Sequence, residues 1–292
     1  MLHLRQRVLS HLLSGPPIPS TSPLCVQRLP STAAAPAVSP NHSFAVEDHS
    51  SVVPKVESSL PLFGSIDNLL RPLKHGSGFL GSHLERVVKP NVKLLAECRL
   101  GACDIAKLFI HEPRMLSAKP GRVLALVACA ERIGVPRGSG MFRQALQAVS
   151  YLSEDKVTAK VDYLKKTFRW SDTEVRIAVS KCPVVLRCSK DTLQRKSEFL
   201  ISKVGLEPAR IAHRPVMLTF SLEGRLRPRY YVMRFLKENG LLSHGRDYHT
   251  MVSISEKLFV KFICPHNQAA PHLAEDYAAA CVGEVPARFR FT

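Results

Sequence analysis

The side chains most able to do chemistry in this chain are cations. Lys160, Lys166, Arg169, Arg187, Arg195, Lys196, Arg214, Arg225, Arg227 and Arg229 fall in one stretch, mostly off the apolar positions of the helical patterns around them. Between Tyr151 and Lys237 there are 19 Lys/Arg against 9 Asp/Glu, so this stretch supplies +10 of a formal net charge of +17. Ammonium and guanidinium groups grip phosphate oxygens, and arginine does so with a planar fork that matches two oxygens at once. A polyanionic partner is therefore expected, and these ten residues are the candidate nucleic-acid-binding set. Any one of them alone reads as part of a solvated face. Recurrence across repeated elements is what turns a charge run into a candidate binding surface.

Other chemistries find little support. There is no GxSxG, no Walker loop and no HExxH, and GSGFLG (76–81) has neither the preceding strand nor the spacing of a dinucleotide loop. The eight cysteines form no CxxC pair. Their closest approaches to ligand spacing are Cys98/Cys103, Cys182/Cys188 and Cys264/His266, where a structural zinc site needs two tight pairs. The expectation is a protein that is not an enzyme and holds no metal or cofactor. VLALVACA (123–130), the longest apolar run, is far too short to cross a bilayer, so no membrane partner is expected. Trp170, the single tryptophan, sits beside Arg169 and reads either as a stacking platform for a base or, more in keeping with its place at a junction, as packing.

The elements that must carry the cations are repeats. HEPRML (111–116), KCPVVL (181–186) and HRPVML (213–218) share the form x-x-Pro-x-x-Leu, and HGSGFL (75–80) and QAVSYL (147–152) are degenerate copies with Ser77 and Val149 in the proline place. The proline positions are then spaced by 32 to 36 residues, the period of stacked helical units. Each unit reads as a short helix before the proline, a tight turn through the leucine, and a capped longer helix. Ser171 with Glu174 is a capping box, Ser153 and Ser189 stand at cap positions, and Gly134, Gly205 and Gly240 close units. Pro228 predicts a kink in the fifth long helix. No useful length alternates with period two, so the fold class is all-α.

From Met1 to Val46 there is no Asp or Glu, while Ser, Pro, Ala and Leu dominate and MLHLRQRVLSHLL can form a short basic amphipathic helix. That is the composition of an organelle transit peptide. The expected layout is a cleaved transit peptide at 1–46, a linker at 47–59, helical repeats at 60–242, and a C-terminal helical cap and tail at 243–292.

The strings SEDKVTAKVDYLKKTFRWSDTEVRIAVSKCPVVLRCS and LEGRLRPRYYVMRFLKENGLL resemble the repeat region of plant mitochondrial transcription termination factor (mTERF) proteins. The tail FICPHNQAAPHLAEDYAAACVGEVPARFRF resembles the C-terminal end of grass members. The resemblance implies a right-handed solenoid of stacked helix pairs with short 3₁₀ turns, a half-doughnut whose basic concave face tracks double-stranded DNA. It also implies a role in organellar transcription termination or regulation, in the mitochondrion or alternatively the chloroplast. The alternatives are an RNA-binding intron-splicing factor of the same fold and a helical protein-interaction scaffold that binds no nucleic acid; other organellar gene-expression proteins are further candidate partners, and a monomer is expected. Here only about a dozen residues separate FAVED (44–48) from LPLFGSIDNLL (60–70), where the resemblance implies further repeats. Fusing residues 1–50 to a fluorescent reporter should send it into an organelle. Diffuse cytosolic fluorescence would refute the transit-peptide reading.

Overall fold

A computed structural model describes Leu60 and residues 63–69, 83–112, 114–242, 247–266 and 268–290. Residues 1–59, where a transit peptide and a linker are expected, the first degenerate repeat at 75–80, the GSGFLG string and Pro113 lie outside the described residues. Among those described there is no strand, and no helix is long and apolar enough to cross a membrane. The chain divides into two compact bodies, Met1–Glu131 with Pro136–Ser150 and Arg132–Val135 with Tyr151–Thr292.

The first body contains α1 (Lys89–Glu97), α2 (Ala102–His111), the one-turn α3 (Arg114–Ser117), α4 (Pro120–Arg132, which ends at the division between the bodies) and α5 (Phe142–Ser150). Its core gathers Phe63, Leu95, Leu108, Phe109, Leu116, Val127 and Leu146, all essentially inaccessible to solvent, with Phe63 edge-on to Phe109 at 5.9 Å. The second body runs through α6 (Glu154–Phe168), α7 (Asp172–Lys181), α8 (Lys190–Ser197), α9 (Pro208–His213), α10 (Arg227–Glu238), α11 (Tyr248–Ser253), α12 (Glu256–Ile263) and α13 (Leu273–Cys281). Here the repeat is plain. A short helix stops at a proline, because proline cannot donate the next helical bond, and the chain tightens into a 3₁₀ turn, Pro183–Arg187 or Pro215–Thr219. Leu186 and Leu218 point fully inward from these turns. Ser189 and Ser221, each six residues past its proline, then cap the next helical segment, accepting from the amides of Thr192 and Gly224. The capping box at α7 is present in both directions, Glu174 N–H to Ser171 Oγ at 3.2 Å and Ser171 N–H to Glu174 Oε2 at 2.8 Å.

Three local expectations change. Val149 does not stand at a turn: it is buried inside α5, which runs on to Ser150, and Ser153 follows as the cap. Six residues before that cap lies Gln147, so the third repeat is shifted by two; without a proline nothing ends the helix early. Ser153 also occupies its cap position without a side-chain bond. Pro228 produces no kink midway along a helix. It sits in the first turn of α10, behind a π-turn, Leu222–Leu226, in which the amides of Leu226 and Arg227 reach back five residues to Ser221 and Leu222. Pro90 stands in the same relation to α1 behind the π-turn Leu84–Val88. A widened turn gives the proline ring the room that a regular helix would deny it.

One interaction recurs between neighbouring repeats. At four short helical segments a polar side chain from the preceding long helix reaches the last carbonyls. Asn91 Nδ2 donates to Leu116 O at 2.9 Å and Ala118 O at 2.8 Å; Lys160 Nζ to Cys188 O at 2.5 Å; Lys196 Nζ to Leu218 O at 2.7 Å. Arg229 donates from one nitrogen to Met251 O and Ile254 O, both at 2.8 Å, and from the other to Glu256 Oε2 at 2.7 Å. Lys160 and Lys196 stand seven residues after their caps, Asn91 and Arg229 eight, the extra residue being the one the π-turn absorbs. Arg229 is fully buried and lies 4.4 Å from the Phe259 ring centroid, while Tyr277 donates to the other oxygen of Glu256. Arg229→Ala strands Glu256 and three carbonyls, so urea unfolding should show a loss of about 3–5 kcal/mol. An unchanged midpoint would show that the clamp contributes nothing.

Candidate nucleic-acid interface

The ten candidate cations part company in the structure. Lys196 and Arg229 are buried, with relative exposures of 5% and 0%, and are spent on the carbonyl clamps, so neither can reach a phosphate. Lys160 is half-buried and turned inward to Cys188 O. Burial lowers the ammonium pKa of both Lys160 and Lys196, with the neighbouring Cys188 thiol opposing the shift. These three inward placements share a cause: the long aliphatic stem lets a cation cross a repeat junction and place its head on backbone oxygen.

The other seven reach the surface. Lys166 and Arg169 are exposed near the end of α6, where Arg169 takes the left-handed conformation, φ 56°, that ends the helix. Arg187, closing the Pro183 turn, lies over the exposed ring of Tyr151 at 4.7 Å. Arg195 on α8 and Arg227 on α10 both hold Glu223, at 2.6 and 3.0 Å, joining successive long segments. Arg225 is half-buried over Phe220 at 4.8 Å, and burial with the nearby Arg229 lowers its pKa. Arg214 belongs elsewhere. Together with Arg210 it holds Asp247, at 2.8 and 2.9 Å, along the junction of the short helices α9 and α11. Burial alone would raise the Asp247 carboxyl, but donors from Thr250, Arg210 and Arg214 hold it well below the usual carboxylate range.

Two pairs of arginines in the second body are therefore joined through a carboxylate, Arg195 with Arg227 through Glu223 at the long-helix junction and Arg210 with Arg214 through Asp247 at the short-helix junction, while Arg187 and Arg225 lie over Tyr151 and Phe220. In each, one carboxylate lies between two guanidinium groups and leaves a net positive charge. Such half-exposed ion pairs are weak and exchangeable, so a phosphate oxygen can take the carboxylate's place. Arg210 and the Lys190 ammonium, which lies 5.3 Å over Tyr163, fall outside the ten; Glu223 stands four residues before Arg227, but its tie to Arg195, like those of Asp247 to Arg210 and Arg214, is long-range and has no sequence period to reveal it. Trp170 is packing: it is buried, stacked on Phe168 at 4.7 Å, and donates from Nε1 to Pro208 O at 2.8 Å. Among the described residues no group of three metal-ligating side chains converges, and the described cysteines are all free.

Proline-led turns, capped long segments and side-chain clamps from one repeat to the next define an α-helical repeat protein with cations gathered along its repeat junctions. The chain belongs to the mTERF family, whose profile matches residues 4–260. It is 24% identical over 179 residues to transcription termination factor MTERF8, chloroplastic, of Arabidopsis thaliana, covering 61% of this chain and 34% of that protein. It is 26% identical over 219 residues to transcription termination factor MTERF15, mitochondrial, of the same plant, covering 73% and 47%. The chain thus spans less than half the length of either relative.

Glu223→Gln removes the acid that Arg195 and Arg227 share. The variant should elute from heparin at higher salt than the parent while its stability changes by less than about 1 kcal/mol, since all three side chains are partly exposed. Unchanged elution would mean that these arginines do not meet polyanions.

Proposed function

We propose that this chain binds double-stranded DNA inside an organelle, through the long-helix junction of its second body, and regulates transcription there. The observation that carries the reading is the set Arg187, Arg195, Arg225 and Arg227, which stays at or near the surface where Lys196 and Arg229 are consumed internally. Cations held by rings and by one shared carboxylate are pre-oriented, so gripping a phosphate costs less side-chain freedom than it would for a loose lysine. The family membership and the printed names of the two relatives support a part in organellar gene expression, and the acid-free N-terminal segment supports import, with the mitochondrion as the proposed destination. The proposed activity is binding, not catalysis, and needs no cofactor.

Each phosphate neutralised releases about 0.9 of a condensed counterion from a duplex, so alanine at Arg187, Arg195, Arg225 or Arg227 should weaken binding to every duplex alike and flatten the salt slope by about one unit each. Alanine at Arg210, on the other junction, should leave the slope unchanged. If the quadruple variant binds duplex DNA with the parent's affinity and slope, the reading fails; if the parent prefers single-stranded RNA at every salt concentration, the splicing-factor alternative replaces it.

A further inference from the structure

The second body also carries an apolar groove with no place in the nucleic-acid reading. It opens between α6, α7 and the segment that follows α4, and is lined by Ile133, Val157, Val161, Val175 and Val179 with Thr158 at its edge. Arg132 and Arg176 stand at the rim. The groove holds about 180 Å³, close to the roughly 150 Å³ void that takes up benzene in a protein core, so a leucine or phenylalanine side chain fits. Val157, Val161 and Thr158 face it from α6, on a side of the helix roughly 100° from Lys160, which turns toward Cys188 instead.

The rim says what kind of ligand belongs there. Arg176 is exposed and makes no ion pair among the described residues. Arg132 meets Glu154 at 3.3 Å, with both side chains more than half exposed, an arrangement that solvent screens and a better-placed carboxylate can displace. The floor is aliphatic throughout. It offers no aromatic ring on which a base could stack, and its one hydroxyl, on Thr158, donates back to Glu154 O at 3.2 Å. A nucleotide would gain two phosphate contacts and nothing for its base. The N-terminal segment of the chain is also a poor occupant, since it has no acidic residue before Glu47.

We infer that this groove is a docking site for a protein partner, which inserts an apolar side chain flanked by acidic residues. The aliphatic floor takes the side chain, and Arg132 and Arg176 take the carboxylates on either side. Such a site lets the chain recruit an acidic partner without using the arginines of the long-helix junction.

The test uses the full chain and a fluorescein-labelled peptide of sequence GDEFLDEG, read by fluorescence polarisation. Saturable binding is expected, with an affinity about tenfold or more above that of the control GDESSDEG, because the control removes the buried side chains and keeps the charge. Thr158→Trp fills the groove without changing charge and should weaken GDEFLDEG by about tenfold while leaving the melting curve and duplex-DNA affinity unchanged. Arg176→Glu should weaken it at least as much. Equal binding of the two peptides would reduce the interaction to general charge attraction and overturn the inference. So would the absence of saturable binding. If Thr158→Trp spares the peptide but weakens a short thymidine oligonucleotide, the groove belongs to nucleic acid and the inference is likewise wrong.

Discussion

A carbonyl left over at the end of a short turn is the constraint around which this fold is arranged. Proline stops the short helix and the chain turns at once into a new one, so the last oxygens of the turn cannot find amides in sequence. Buried and unpaired, each would cost about as much as a lost hydrogen bond. The answer comes from outside the repeat: Asn91, Lys160, Lys196 and Arg229 each cross to the next repeat and donate to those oxygens. Because the donor sits on a long helix and the acceptors on the following turn, the same bond that satisfies the backbone fixes the spacing of neighbouring repeats. Leucine packing alone tolerates sliding; a directional bond to a particular oxygen does not.

The clamp also sorts the charge. A cation seven residues past a cap points across the junction and is consumed there, whereas Arg195, one residue before Lys196, points out and meets Glu223. The buried heads are costly, and the structure offsets the cost unevenly. Arg229 has a carboxylate, three carbonyls, a phenol and an aromatic face around it; Lys196 has one carbonyl and the polarisable sulfur of Cys188 nearby. A fork with five donors can serve several oxygens at once, which explains why arginine and not lysine occupies the place where the acceptors are most numerous.

Much of this was legible in the sequence and some was not. The proline-led strings gave the repeat and its helical class, the serine caps and closing glycines marked helix ends, and Leu186 and Leu218 are buried as the pattern required. The third repeat falls two residues out of register when aligned on Leu152, whereas the cap at Ser153 carries the register. Most of the ten cations lie off the apolar stripe, but that position cannot separate a side chain facing solvent from one facing a neighbour's backbone. Counting from the cap could have done so: Lys160 and Lys196 share position seven, and Pro90-Asn91 and Pro228-Arg229 share a proline-shifted position eight. Glu223 is a local i,i+4 partner of Arg227, but its tie to Arg195 and the ties of Asp247 to Arg210 and Arg214 cross between repeats and leave no local mark.

One repeat lacks a polar clamp, and its turn differs from those that have one. Lys119 stands where the caps of the other repeats stand, its carbonyl accepting from Arg122 and Val123, and seven residues on is Leu126, apolar and buried. The repeat that follows has no proline: α5 runs unbroken through Gln147 to Ser150, so its carbonyls are largely satisfied along the helix, and the Ser150 hydroxyl donates to Gln147 O at 3.0 Å. With no orphan oxygens waiting, an ammonium in place of Leu126 would be a desolvated charge without a partner, and a leucine that only packs is the better choice. At the turns led by Pro183 and Pro215 the clamp position is polar, and where α5 continues it is apolar; α11, with neither a proline nor a 3₁₀ turn, still draws Arg229 to its last carbonyls. The clamp and the turn it serves lie some twenty residues apart in sequence, and at the proline-led turns the one supplies the donor that the other lacks.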